Sequence, residues 1–117
     1  MKKYEIVKKN TEFNDIINSG AYFKNKYYYI YYKDNDLNLP RFGLAVSKKH
    51  GNAVVRNKLK RQLRSIIDHN KKLFENKDYV IMVRKGIQDI PFALMEDTFK
   101  ELFMRKENKW KNLKLLF

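Results

Sequence analysis

From Val55 to Ile67 the chain places apolar residues at the spacing of a single helical face: Val55, Leu59, Leu63, Ile66 and Ile67. At about 100° per residue these positions, with Leu73 and Phe74 further on, fall within an arc of about 120°. The rest of the wheel is not the usual mixture of signs. Arg56, Lys60, Arg64, Asn57, Arg61 and Lys58 sweep about the next 200°, with Arg56 at the border of the apolar arc. Between Arg41 and Arg64 there are eight Lys and Arg residues and no Asp or Glu. Such a helix has to bury one side against a second layer and turn the other, all of one sign, outward. Gly51 and Asn52 precede it as a turn residue and an N-cap.

The flanking segments supply that second layer. In KKNTEFNDIINSG the spacing predicts a short helix capped by Asn10 or Thr11, with Phe13, Ile16 and Ile17 on one face and Gly20 closing it. Residues 21 to 33, AYFKNKYYYIYYK, are dense in tyrosine and read as strand, broken near Asn25. Alternation sends Tyr27, Tyr29 and Tyr31 to one face and Tyr28, Ile30 and Tyr32 to the other. RFGLAVSK at 41 to 48 is a second strand. DYVIMVRK at 78 to 85 is a continuous apolar run that suits a strand covered on both sides. A last helix begins near Pro91 and carries Phe92, Met95, Phe99, Leu102 and Phe103 on one side; its tail, RKENKWKNLKLLF, is expected to fray. The order of elements predicts an α+β domain with one sheet. A strand–helix–strand unit over 41 to 85 would ordinarily cross right-handed.

Residues 1–117 read as one domain, large enough for a single core. With 44% hydrophobic residues, eight Phe and eight Tyr the chain is too apolar to be disordered, so its net charge of +13 is a property of a folded surface. A polyanion partner, nucleic acid first, is the expected neutraliser. Cysteine is absent, which removes disulfides and thiolate metal sites. Neither a signal peptide nor a membrane-length apolar run is present, so no membrane association is expected and the cytoplasm is the expected location. Arg56, Lys60 and Arg64 set like charges at i, i+4, each pair costing a few tenths of a kcal/mol in the free protein. Phosphate contact would offset that cost.

The unbroken run SKKHGNAVVRNKLKRQLR, Ser47 to Arg64, resembles the arginine-rich signature of the protein subunit of bacterial ribonuclease P. KKNTEF followed by Gly20, the aromatic strand, RFGLAVSKK and DYVIMVRK fit the same family, and the resemblance weakens only over the last dozen residues. It implies an αβββαβα sandwich with one four-stranded sheet, similar to domains of ribosomal proteins, and a left-handed βαβ crossover through the basic helix. It also implies a holoenzyme that removes the 5′ leader of precursor tRNA, in which a catalytic RNA subunit performs the hydrolysis with magnesium bound mainly by the RNA. The implied partners are that RNA and precursor tRNA, with no obligatory protein partner. Carried over by position, Lys48, Lys49, Asn52, Arg56, Asn57, Lys60, Arg61 and Arg64 would dock the RNA subunit, and Phe13, Ile17, Tyr29 and Tyr31 would line a leader-binding cleft.

The residues themselves leave some roles open. Asn52 suits helix capping and RNA contact equally, and Arg56 suits phosphate contact or packing at the core border. The tyrosines suit base stacking or plain sheet packing. Ile17 stands where relatives often carry an aromatic, so contact there would be packing. No catalytic or metal-binding residue is expected in the polypeptide: His50 and His69 read as ordinary surface residues, and Asp68, Asp78, Glu96, Asp97 and Glu101 as scattered surface acids. A structural RNA binder of ribosomal-protein type and a DNA-binding module are the competing classes.

Overall fold

The computed structural model describes the backbone of residues 5–19 and 21–116, and side chains as far as residue 104. Its elements follow the order α1 (Asn10–Asn18), β1 (Tyr22–Lys24), β2 (Tyr28–Asp34), β3 (Arg41–Ala45), α2 (Ala53–His69), β4 (Lys77–Val83) and α3 (Phe92–Leu116). The strands form one four-stranded mixed sheet in the order β1-β2-β4-β3. β4 runs antiparallel to β2 and parallel to β3, so α2 is the crossover that returns the chain from one edge to the centre. The predicted αβββαβα order is thus observed.

The central position of β4 accounts for its unbroken apolar sequence. Val80 and Ile81 point to opposite faces and both are fully buried. On one face Tyr28, Ile30, Phe42, Tyr79, Ile81 and Val83 pack against Leu59, Leu63, Ile66 and Ile67 of α2 and Met95, Phe99, Leu102 and Phe103 of α3. Each such large side chain taken from water stabilises the fold by about 1.5–3 kcal/mol. The buried Tyr28 hydroxyl donates to the Met95 carbonyl at 2.8 Å, which removes its desolvation cost. On the other face α1 covers a smaller cluster in which Val7, Ile16 and Val80 are surrounded by Phe13, Ile17, Tyr31, Ala45 and Met82.

Gly43 lets α1 come this close. A Cβ on Gly43 would lie 2.5 Å from Cζ of Phe13, so the ring rests directly on the β3 backbone. The break predicted near Asn25 is a side-chain-capped turn: Oδ1 of Asn25 accepts from the amides of Tyr27 and Tyr28 at 3.0 Å each, while Nδ2 donates to the Thr98 carbonyl of α3 at 2.9 Å.

Several local expectations are corrected. Neither Asn10 nor Thr11 caps α1; both lie inside the helix, and the N-cap position is Lys9, in extended conformation and without a side-chain cap. The C-terminal end is held by Ser19 Oγ, 2.7 Å from the Ile16 carbonyl and 3.1 Å from that of Tyr32; Gly20 lies outside the described residues. The helix predicted to carry Leu73 and Phe74 stops at His69, because Asn70 turns its Nδ2 back to the Ile66 carbonyl at 2.7 Å. Leu73 and Phe74 reach the core from the following 3-10 turn and extended segment instead. β3 and β4 end at Ala45 and Val83, short of the basic residues that follow each. Tyr27 precedes β2 and packs beside the α2–α3 core rather than sharing a face with Tyr29 and Tyr31.

Candidate nucleic-acid interface

The helix wheel is realised in three dimensions. Leu59, Leu63, Ile66 and Ile67 are the buried residues of α2, while Asn57, Lys58, Arg61 and Arg64 are exposed and Arg56 and Lys60 half-buried at the margins. Before the helix, Lys48 and Lys49 stand exposed on a 3-10 turn, Lys48–His50. Asn52 does cap α2, its Oδ1 accepting from the Val55 amide at 3.1 Å. Among the described residues its Nδ2 has no partner, so the cap does not consume its donor capacity.

Among the described residues, Lys48, Lys49, Arg56, Lys58, Lys60, Arg61 and Arg64 form no ion pair; the basic partners in the ion pairs present are Arg41, His69, Lys71 and Lys77. Among the described residues, the ridge is therefore not neutralised by the protein's own acids. Arg56 adds a sharper feature. Its Nε is buried without a hydrogen-bond partner, an unmet donor that costs about 1–3 kcal/mol unless a bound oxygen satisfies it.

Arg41, at the other end of the acid-free stretch, behaves differently. Its Nε and Nη2 fork onto the two Asp78 carboxylate oxygens at 2.9 and 2.7 Å, and Nη1 reaches Glu12 of α1 at 3.4 Å. Asn35 also donates to Asp78, at 2.8 Å. Asp78, expected at the surface, is only 7% exposed. Burial opposes its charge, but the hydrogen bonds from Arg41 and Asn35 and the field of Arg41 and Lys33 outweigh that, holding the carboxyl below its ordinary 3.8. The bond to Asp78 correspondingly raises the Arg41 pKa. His50 is a second correction: it is buried, with both ring nitrogens near acceptor atoms. His69 is at the surface as expected, beside Glu96 at 3.1 Å.

The sheet face away from α2 carries a second aromatic group, Tyr22, Tyr29 and Tyr31. Tyr29 and Tyr31 stack with ring centroids 6.4 Å apart, and Tyr22, half exposed, sits 6.3 and 5.6 Å from them. The Arg84 guanidinium lies 4.6 Å from the Tyr29 ring centroid and Lys24 Nζ 5.7 Å from it. Of the four residues predicted for a cleft, Phe13, Ile17 and Tyr31 come together around Val80. Tyr29 stands one step outside, in a hollow of about 630 Å³ that it shares with Ser47, Lys49, His50, Met82, Arg84, Lys85 and Gln88. A shallower groove lined by Leu44, Ala45, Val46, Ser47, Lys60 and Met82 runs over the β3 edge from the ridge toward this hollow. Through their shared Ser47 and Met82, Lys60 of the cationic helix and Tyr29 line adjoining depressions. Sequence reasoning missed Tyr22, Lys24 and Arg84; the RK pair following the DYVIMV strand was the available signal for Arg84.

Among the described residues no three His, Asp or Glu side chains gather where they could hold a metal ion, and no helix is long and apolar enough to cross a membrane.

Fold and surface together define a small, basic α+β domain whose sheet backs an outward-facing cationic helix. A family model for ribonuclease P matches residues 1–107. The "Ribonuclease P protein component" of Mycoplasma mycoides subsp. mycoides SC is 43% identical over 104 residues, which span 87% of this chain and 95% of the relative. That of Streptococcus pneumoniae serotype 4 is 43% identical over 97 residues, 82% of this chain and 79% of the relative. Among solved structures, the Staphylococcus aureus RNase P protein superposes with a TM-score of 0.81 at 29% identity, covering 87% of this chain and 94% of that one. The Thermotoga maritima RNase P protein gives 0.79 at 28% identity, covering 86% and 96%. The chain belongs to the ribonuclease P protein family, the protein component of a tRNA-processing ribonucleoprotein.

Proposed function

We propose that this chain docks the catalytic RNA subunit of ribonuclease P through the ridge from Lys48 to Arg64 and holds the 5′ leader of precursor tRNA on the tyrosine face. The observation that carries this reading is the ridge itself: seven Lys and Arg side chains without an acidic partner among the described residues, one of them with a buried, unmet donor. Guanidinium groups of Arg56, Arg61 and Arg64 fork onto phosphate oxygens, and Lys48, Lys49 and Lys60 act as point charges beside them. Asn52 and Asn57 supply amides suited to 2′-hydroxyls.

Leader binding follows from the other half of the surface. Tyr29 and Tyr31, with Tyr22 and Arg84 beside them, offer ring faces and cations to unpaired nucleotides, each stacked base contributing about 1–3 kcal/mol. Phe13 and Ile17 support that face from α1 through packing. Hydrolysis in this reading is performed by the RNA with magnesium held mainly by the RNA; the polypeptide binds, orients and neutralises, in the cytoplasm. The test is reconstitution: purified protein added to the ribonuclease P RNA is expected to restore removal of the 5′ leader at magnesium concentrations where the RNA alone is slow. An RNA complex without restored cleavage would leave a structural RNA binder of ribosomal-protein type, and tighter binding to duplex DNA than to structured RNA would point to a DNA-binding module.

A further inference from the structure

We propose that His50 is a positioning residue for RNA docking: it anchors the loop Ser47–Asn52 to β4 and to the turn Ile87–Asp89, keeping Lys48 and Lys49 in line with the cationic face of α2. The proposal rests on the reading that this ridge docks the RNA. Along Ser47–Asn52 every residue is exposed except His50, which is 9% exposed. The other bonds found in the segment are short-range: His50 N–H to the Ser47 carbonyl at 3.1 Å, Gly51 N–H to that of Lys48 at 3.2 Å, and the Asn52 cap on α2. Gly51 then turns the chain with φ of 137°, and a Cβ there would lie 3.0 Å from Cβ of Val55. The imidazole is what ties this loop to the sheet.

Both ends of the ring are engaged. Nε2 lies 3.2 Å from the Val83 carbonyl oxygen and Nδ1 3.3 Å from Oε1 of Gln88. The Arg84 amide turns toward β2, donating to the Tyr27 carbonyl at 2.8 Å, so the preceding Val83 carbonyl faces the β3 side. Pairing with β3 has already ended there, at Ala45 opposite Met82. His50 takes the place of the missing strand neighbour and satisfies an acceptor that would otherwise be costly to bury. A carbonyl only accepts, so Nε2 carries a proton; Nδ1 either accepts from the Gln88 amide turned NH2-inward or, protonated, donates to its oxygen. Holding the backbone of two lysines in place beforehand lowers the ordering cost that binding would otherwise meet.

The experiment measures affinity of the full-length chain for ribonuclease P RNA transcribed from the same genome, across a salt series, beside thermal unfolding. His50→Leu keeps apolar bulk and removes both hydrogen bonds. It is expected to melt cooperatively, bind about ten-fold more weakly and show a log Kd against log salt slope shallower by about 1–2, as phosphate contacts by Lys48 and Lys49 are lost. Replacing Lys48 and Lys49 by Ala should then add little to His50→Leu, and His50→Gln, whose amide can donate to Val83, should recover most of the affinity and slope. A folded His50→Leu with wild-type slope overturns the proposal, whether its affinity falls or not. Should His50→Leu fail to fold, Gln88→Ala, altered at an exposed side chain, decides: a shallower slope supports the anchor and a wild-type slope overturns it. Absence of salt-dependent RNA binding by the wild-type chain would overturn the docking reading and the anchor with it, whereas wild-type binding with an unaltered His50→Leu slope overturns the anchor alone.

Discussion

Arg41 and Arg64 bound the same acid-free stretch of sequence, yet they occupy opposite electrostatic situations. Arg41 is fixed by a two-pronged bond to a buried carboxylate and a further contact to Glu12, so that β3, β4 and α1 are joined through one guanidinium. Arg64 projects from α2 with no acidic partner among the described residues. The difference teaches that local charge density does not tell a structural cation from a candidate binding one. What separates them is whether the fold brings an acid to the guanidinium. On this comparison, removing the first kind should cost stability and spare affinity, and removing the second should do the reverse.

The largest expected effect comes from reversing exposed ridge cations. Arg61→Glu with Arg64→Glu should weaken binding to ribonuclease P RNA by at least about 100-fold, since two charge-assisted contacts become repulsions. The melting temperature should stay near that of the wild type; a large drop would mean that these side chains serve the fold and would erase the distinction. Next, Asp78→Ala leaves Arg41 with Glu12 alone and should cost about 2–3 kcal/mol in denaturant unfolding, while the RNA affinity of the folded protein stays within about two-fold. Equal losses in both measurements would break the comparison from the other side.

A pH series sharpens the same point. The Asp78 pKa is lowered in the folded state, so its contribution is present above the ordinary carboxylate value of 3.8 and is lost as pH falls through the folded value. The stability gap between the wild type and Asp78→Asn should accordingly be full at neutral pH and close below about pH 4. A gap unchanged at the acid end would remove the carboxylate from the account. On the tyrosine face, Tyr29→Ala should weaken precursor tRNA by about 1–2 kcal/mol relative to mature tRNA when bound to the reconstituted holoenzyme; equal weakening of both would count against leader contact. The smallest effect is local: Asn52→Ala removes the α2 cap and should lower stability by about 1 kcal/mol. An affinity loss well beyond that would assign its Nδ2 to the RNA.

The legible part of the molecule was whatever depends on neighbours a few residues away. The buried face of α2, its cap at Asn52, the turn at Asn25 and the double burial of β4 all follow from periodicity and side-chain reach. The opposed faces of Tyr28 and Tyr29 follow from strand alternation for the same reason. The candidate ridge was readable because a helix wheel is local geometry. Of the candidate cleft, Phe13, Ile17 and Tyr31 meet around Val80, but the cations beside Tyr29 come from β1 and from the end of β4, a meeting that no local pattern announces.

The apolar rhythm and the one-sign stripe of α2 were determined by the sequence alone, because a 100° turn per residue assigns each side chain to a face before any tertiary contact exists. Tertiary structure decided that Arg41 leaves the candidate binding surface, that Asp78 and His50 are buried and that Phe13 rests on Gly43. Each depends on partners well separated along the chain, 37 positions for Arg41 and Asp78 and 33 for His50 and Val83. Only the mixed register of the sheet brings such groups within hydrogen-bonding or packing distance.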